Sequence, residues 1–342
     1  MEMIRRAFAA FCLSVFIALP SKAYDTPDND LVPVAEKQVR KDFRQALLLF
    51  DRGMYDMART IFESVAEATG NYMAEGYSVF CSVNLQSEGY VTLLREYEKK
   101  YPYSGLIPQM RYQYGLNLFD KDEYQAALDE FEVVSRHRLH RSQEAEFLFK
   151  KAYCDFSLGN YDRALLRFAS LEKRTYSDYT SPARYAMGYI NYRQKDFAGA
   201  IGWFEKSAKD IRFTAMSNYY IIESNFMLKN YRTVCEEAPL LVDKVPQERR
   251  PHVIRLISES WLVLGDAGKA RYWFDMNKES SEIKSRSDYF YAGSVLYAVE
   301  DYQGAINNYS MMTDRTDSLG QLANYQLGYS YIQTRNKVAA ME

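Results

Sequence analysis

The sequence predicts an all-α solenoid of about nine stacked helix hairpins. Three observations predict it. Ala58, Leu93, Ala127, Ala164, Ala200, Val234, Ala270, Ala305 and Ala340 recur at spacings of 34 to 37 residues. Twelve residues before each stands a second marker: Ala46, Cys81, Gly115, Ala152, Gly188, Ile222, Ser258, Gly293 and Gly328, all small except Ile222. A short polar break separates the two markers, spelled "RGM", "DKDE", "SLGN", "RQKD" and "LGDA" in five of the copies. Self-similarity at such a period marks a repeat array.

Each copy therefore reads as a first helix (A), a tight turn and a second helix (B). Gly53, Gly159 and Gly265 are placed to supply the left-handed conformation that ends helix A. A small residue on A and an Ala on B let the two backbones approach closely. Aromatics flank the B marker. Three residues before it stand Tyr55, Tyr90, Tyr124, Tyr161, Phe197, Tyr231 and Tyr302; four after it stand Phe62, Tyr97, Phe131, Phe168, Phe204, Phe274 and Tyr309. These rings are expected to fill the groove beside the helix contact. One hairpin cannot bury its apolar face alone, so copies stack.

Taken in order, residues 1–23 read as a signal peptide. Arg5 and Arg6 precede the apolar run "AFAAFCLSVFIALP", and "SKA" offers a cleavage site after Ala23. Residues 24–35, opening "YDTPDND", read as a flexible leader, and residues 36–342 as the solenoid. Pro108, Pro182 and Pro251 fall in the first turn of an A helix, where no amide hydrogen is missed. Copy six departs most: it has Ile222 and Val234 for the small residues and Pro239 inside helix B. The array is expected to be least regular there. The ninth copy is incomplete, and the native protein is expected to continue with at least one more helix. Cys81, Cys154 and Cys235 fall on apolar helix faces and read as buried small hydrophobes.

The chain resembles tetratricopeptide-repeat (TPR) proteins, through the small residue of helix A, the Tyr-x-x-Ala of helix B and the aromatic four residues later. The resemblance covers roughly residues 36–342, and "YPYS" at Tyr101 is similar to turns of exported bacterial envelope repeat proteins. The family's Trp early in helix A is absent. The resemblance implies a right-handed superhelix whose A helices line a concave face. It also implies that residues three before, one after and four after the A marker touch ligand. Carried over, these are Tyr112, Leu116 and Phe119; Phe149, Tyr153 and Phe156; Tyr185, Tyr189 and Tyr192; Tyr219, Glu223 and Phe226. Ten of the twelve are aromatic, which suits a binding groove. Tyr185, Tyr189 and Tyr192 share one helical face and are the expected anchors. Tyr189 is expected to contribute to binding and little to stability, in contrast to a packing residue such as Phe168.

Composition narrows the function. The chain has 342 residues, net charge −2, 47% hydrophobic and 15% aromatic residues, with 30 Tyr and 19 Phe but 3 Trp. That balance argues against a nucleic-acid partner, and past the signal peptide no run reaches membrane-span length. His137 and His140 in "RHRLHR" have a spacing that metal ligands use, but Arg136, Arg138 and Arg141 oppose a cation, so the run reads as a solvated basic turn. His252 has no evident catalytic partner. The Glu-Ser pairs Glu223-Ser224 and Glu259-Ser260 recur in repeat register, which favours a structural role. No phosphate loop, nucleophile elbow or paired-Cys cluster is present. No catalytic residue, metal or cofactor is therefore expected. The expectation is a protein- or peptide-binding scaffold of the bacterial envelope, located in the periplasm. Two other readings stay open: the helical arm of a lytic-transglycosylase-type enzyme, and the exported sensor half of a transmembrane regulator. Either would place a further domain beyond residue 342.

Overall fold

The computed structural model describes residues 34–173, 177–277, 285–313 and 316–341. The expected signal peptide lies outside the described residues, as does most of the expected leader; the first helix opens at Val34. Among the described residues there are 17 α-helices and no strand. The chain divides into two compact units at Tyr179/Thr180.

Unit one holds four hairpins: α1 (Val34–Asp51) with α2 (Tyr55–Thr69), α3 (Tyr72–Leu85) with α4 (Tyr90–Lys100), α5 (Ile107–Asp120) with α6 (Tyr124–Val133), and α7 (Glu144–Ser157) with α8 (Tyr161–Glu172). Unit two continues with α9 (Thr180–Arg193) and α10 (Phe197–Ser207), α11 (Ile211–Met227) and α12 (Tyr231–Glu237), α13 (Arg250–Val263) and α14 (Ala267–Asp275), then α15 (Arg286–Ala298) and α16 (Tyr302–Tyr309). Helix α17 (Ser318–Gln333) is the A helix of the ninth copy. Pro108 and Pro251 sit at the start of α5 and α13, and Pro182 lies in the first turn of α9.

One turn recurs in eight copies. The residue five before the B marker has positive φ: Gly53 (73°), Gly159 (80°) and Gly265 (84°), but also Asp122 (62°), Lys195 (64°), Lys229 (63°), Glu300 (64°) and Arg335 (63°). The following amide then donates back across the helix end, as Asn160 N does to the Asp155 carbonyl (2.8 Å) and Asp301 N to Leu296 (2.9 Å). Such a paired closure satisfies carbonyls that a helix end otherwise leaves open. The sequence marks only the three glycines. Repeat packing holds the other five residues in the same conformation, against their intrinsic preference.

In copies three, five and eight the glycine at the A marker has a specific occupant. A β-carbon on Gly115 would lie 2.5 Å from the Phe131 ring, one on Gly188 2.9 Å from Phe204, and one on Gly293 2.5 Å from Tyr309. The ring four residues past the B marker thus roofs the small residue directly, rather than lying beside it. The same ring meets the next A helix. Phe62 stacks on Tyr77 (5.1 Å, 16°) and Phe204 on Tyr220 (5.0 Å, 11°), while Phe131 meets Phe147 edge-on (5.8 Å, 88°) and Phe274 meets Tyr291 (5.6 Å, 73°). One side chain therefore closes its own hairpin and joins it to the next.

Two copies bend the pattern. In copy two Leu93 is 40% exposed and Leu94 is fully buried, which corrects the choice of Leu93 as the equivalent of Ala. The residue that α4 turns inward is Leu94, one position after the spacing marker. Tyr97 then roofs Gly76, where a β-carbon would lie 2.4 Å from its hydroxyl. In copy six α12 stops at Glu237 after seven residues, and 3₁₀ turns follow at Ala238–Leu240, Val242–Lys244 and Gln247–Arg249. Pro239 cannot donate the hydrogen bond that would extend the helix. The copy has not simply lost its small contact. Ile222 occupies the A position (3% exposed), and Ala238 stands where the ring would be (0%), so large and small have changed places.

Cys81, Cys154 and Cys235 are free and buried. Burial pushes their thiols up to about 12, about 12 and about 11, far from the reactive range.

Candidate functional site

The candidate wall lies on the A helices, built from residues one helical turn apart. In unit one, Phe149 packs on Tyr153 (6.1 Å) and Phe168 (5.7 Å), Phe119 on Tyr124 and Tyr153 (5.5 Å each), and Tyr153 on Phe156 (5.7 Å). Tyr112 donates to Glu146 (3.0 Å), and the Lys150 ammonium sits 4.4 Å from the Phe119 ring centre. In unit two, Tyr185, Tyr189 and Tyr192 of α9 all reach Tyr220 of α11, at 6.4, 5.8 and 5.0 Å. Phe226 packs on Tyr231 at 5.6 Å.

Burial sorts these rings. Tyr112, Phe119, Phe149, Tyr153, Phe156, Tyr185, Tyr189 and Tyr219 are between 1% and 7% exposed. Tyr192 and Phe226 are half-buried. The face expected to be wet in the free chain is thus largely closed by its own ring-on-ring contacts. Tyr189 in particular is packed before any partner arrives.

Tyr220 is the hub that sequence reasoning missed. It lies one residue off the inferred ligand register, so the position rule passed over it. The available signal was the doubled aromatic in "NYY".

Glu223 is the one charged member of the twelve positions, and it gathers donors from three A helices. Burial works against its ionisation, but hydrogen bonds from His252, Tyr219 and Tyr192 more than offset this, and its pKa is lowered. His252 Nε2 lies 3.5 Å from Glu223 Oε1, so the histidine without an evident partner in the sequence has one in the fold. Burial first, and then the Glu223 charge, raise the Tyr192 and Tyr219 phenols. The Arg249 guanidinium lies 5.1 Å from the Tyr219 ring centre.

The Glu259-Ser260 pair is tied into the repeat. Ser258 Oγ donates to the Ala270 carbonyl (2.7 Å), joining the A and B markers of copy seven, and Ser260 Oγ donates to Leu256 (2.7 Å). Glu259 pairs with Arg255 at 2.6 Å. His140 Nδ1 accepts from the Ser142 amide at 3.3 Å and caps a 3₁₀ turn. Among the described residues no three His, Cys, Asp or Glu side chains gather as a metal site would require, and no helix is long and apolar enough to cross a membrane.

A small residue under a ring, a left-handed turn and stacked hairpins define an all-α solenoid of helix hairpins that resembles tetratricopeptide repeats. Solved structures similar to the chain include the apo form of RapI (14% identity, TM-score 0.46, covering 89% of this chain and 97% of that one). A tetratricopeptide repeat protein from Parabacteroides merdae ATCC 43184 is similar at 15% identity and TM-score 0.39, over 79% of this chain and 98% of that one. The P58(IPK) TPR domain follows at 15% identity and TM-score 0.30, over 87% and 99%. No family model and no curated protein matches the sequence.

Proposed function

We propose that the chain is a protein–protein interaction scaffold without catalytic activity of its own, holding a peptide or protein segment against its A-helix wall. It is exported by the segment 1–23 to the periplasm and works in the bacterial cell envelope. The observation that carries this reading is the set of ten aromatic residues at positions that touch ligand in the repeats this chain resembles, on two A helices of unit one and two of unit two. The buried members form a rigid backing. Tyr192 and Phe226 remain half-open around the ionised Glu223 and are the contact points in unit two. Rigid aromatics set in a fixed surface are the usual anchors of an interface.

The test compares capture of binding proteins from an envelope extract by the wild-type chain and by Tyr192→Ala and Phe226→Ala. Each substitution is expected to weaken capture by about ten- to a hundred-fold, on the order of 1–3 kcal/mol, with a smaller loss of melting temperature than Tyr189→Ala. Undiminished capture by both folded variants would mean that the wall is not the binding face.

A further inference from the structure

Copies three and four are joined by a turn that carries the sharpest concentration of net positive charge in the described chain. Residues 136–141 read "RHRLHR" in a protein of net charge −2. Two 3₁₀ turns, Arg136–Arg138 and Arg141–Gln143, fix its backbone. The Gln109 side chain of α5 donates to the Arg138 carbonyl (3.1 Å), and the Gln143 side chain accepts from the His140 amide (3.0 Å). His137, Arg138, His140 and Arg141 are exposed, and Val133 beside them is 61% exposed.

Counter-charge is scarce. Glu144 lies 3.7 Å from Arg136, and among the described residues no acidic side chain pairs with His137, Arg138 or Arg141. Elsewhere in unit one comparable cations are matched: Arg111 lies 2.6 Å from Glu98, Arg163 2.6 Å from Asp155, and Lys151 2.9 Å from Glu132. An ordered backbone that presents unmatched guanidinium groups has already met the backbone part of the ordering cost of binding an anion. Planar guanidinium groups suit carboxylates, which they take in pairs of parallel hydrogen bonds.

We propose that this turn is a docking surface for an acidic segment of a partner protein, with Arg138 and Arg141 taking its carboxylates and Val133 giving an apolar contact beside them. The proposal rests on the scaffold reading for the kind of partner, but it concerns a different surface from the A-helix wall.

The test uses the full chain and two fluorescent peptides, octaglutamate and octaglutamine, followed by anisotropy at low and at raised salt. Octaglutamate is expected to bind at low salt and to weaken as salt screens the contact, with octaglutamine not binding. The Arg138→Ser/Arg141→Ser variant should weaken octaglutamate at least about fivefold, and Arg138→Lys/Arg141→Lys should restore part of the loss. Equal binding of the two peptides, or an unaffected serine variant, overturns the proposal. Binding to phosphatidylglycerol vesicles in place of octaglutamate overturns it in favour of a membrane surface. The two readings fail separately: a useless Tyr192→Ala comparison leaves this turn standing, and indifferent octaglutamate leaves the wall standing.

Discussion

Copies five and six are neighbours in one unit, built on the same hairpin plan and opposite in their choice of large and small. Copy five puts Gly188 on helix A and the Phe204 ring over it. Copy six puts Ile222 on helix A and Ala238 where the ring belongs. Copy five runs its B helix for 11 residues, while copy six stops after seven and finishes in 3₁₀ turns. The comparison teaches that the hairpin needs a filled volume rather than a particular residue at either marker. It also shows what the ring adds. Phe204 stacks on Tyr220 of the next A helix, whereas Ala238 has no ring to extend to copy seven.

The largest expected effect removes that ring. Phe204 is fully buried, so Phe204→Ala should cost about 3–5 kcal/mol as a large-to-small core change, read as a lower denaturation midpoint. Tyr189→Ala should also destabilise, because Tyr189 is 7% exposed against the hub. Tyr192→Ala should cost clearly less, because Tyr192 is only half-buried. If Tyr189 and Tyr192 behave alike, the division of the wall into backing and contact is wrong.

A smaller effect concerns the joint between copies six and seven. Glu223 has a folded-state pKa below its ordinary 4.5. Its contribution to stability is therefore present above the unfolded value and lost as pH falls through the lowered folded value. Glu223→Gln should lower stability at neutral pH, and the gap from wild type should close as the solution is acidified through that range. A gap independent of pH would mean that the carboxylate charge does not matter at this joint.

The turns sharpen the comparison from another side. Lys229 of copy six holds φ 63° and Gly159 of copy four φ 80° in equivalent places. Lys229→Gly should gain roughly 1 kcal/mol and Gly159→Ala lose a similar amount, since a β-carbon in this conformation costs about 1–2 kcal/mol. Opposite signs in thermal melts would confirm that the five non-glycine turns are held by packing. Smallest in global effect, hydrogen exchange should be fastest between about Tyr231 and Arg250 among the interior copies, where α12 is short. Uniform protection across copies five to seven would contradict the weakness assigned to copy six.

Much of this fold was legible in the sequence, because a repeat states its rule several times. Ala164 alone means little, but nine markers in register fix the hairpins, and Gly53, Gly159 and Gly265 mark their turns. What stayed hidden was whatever a single copy does by compensation. Leu93 matched the spacing, yet Leu94 beside it is the buried residue. Lys195 and Glu300 look like ordinary surface residues, and only the packed hairpin forces their positive φ. The candidate wall was legible as positions but not as exposure. Periodicity says which face a ring is on, and only the stacked neighbour says whether that face stays open. Tyr220 and His252 lie off the ligand register, so their contacts with the wall emerged only in the fold.

The central claim is that ring and small residue form one exchangeable volume, and a double-mutant cycle tests it most directly. Gly188→Ile, Phe204→Ala and the pair together would be compared by chemical denaturation in the full chain. Each single change should destabilise, the first by overpacking under the ring and the second by leaving a cavity. The pair rewrites copy five as copy six. It should be more stable than the sum of the single losses allows, with a coupling of about 1–3 kcal/mol. Losses that simply add would contradict the account.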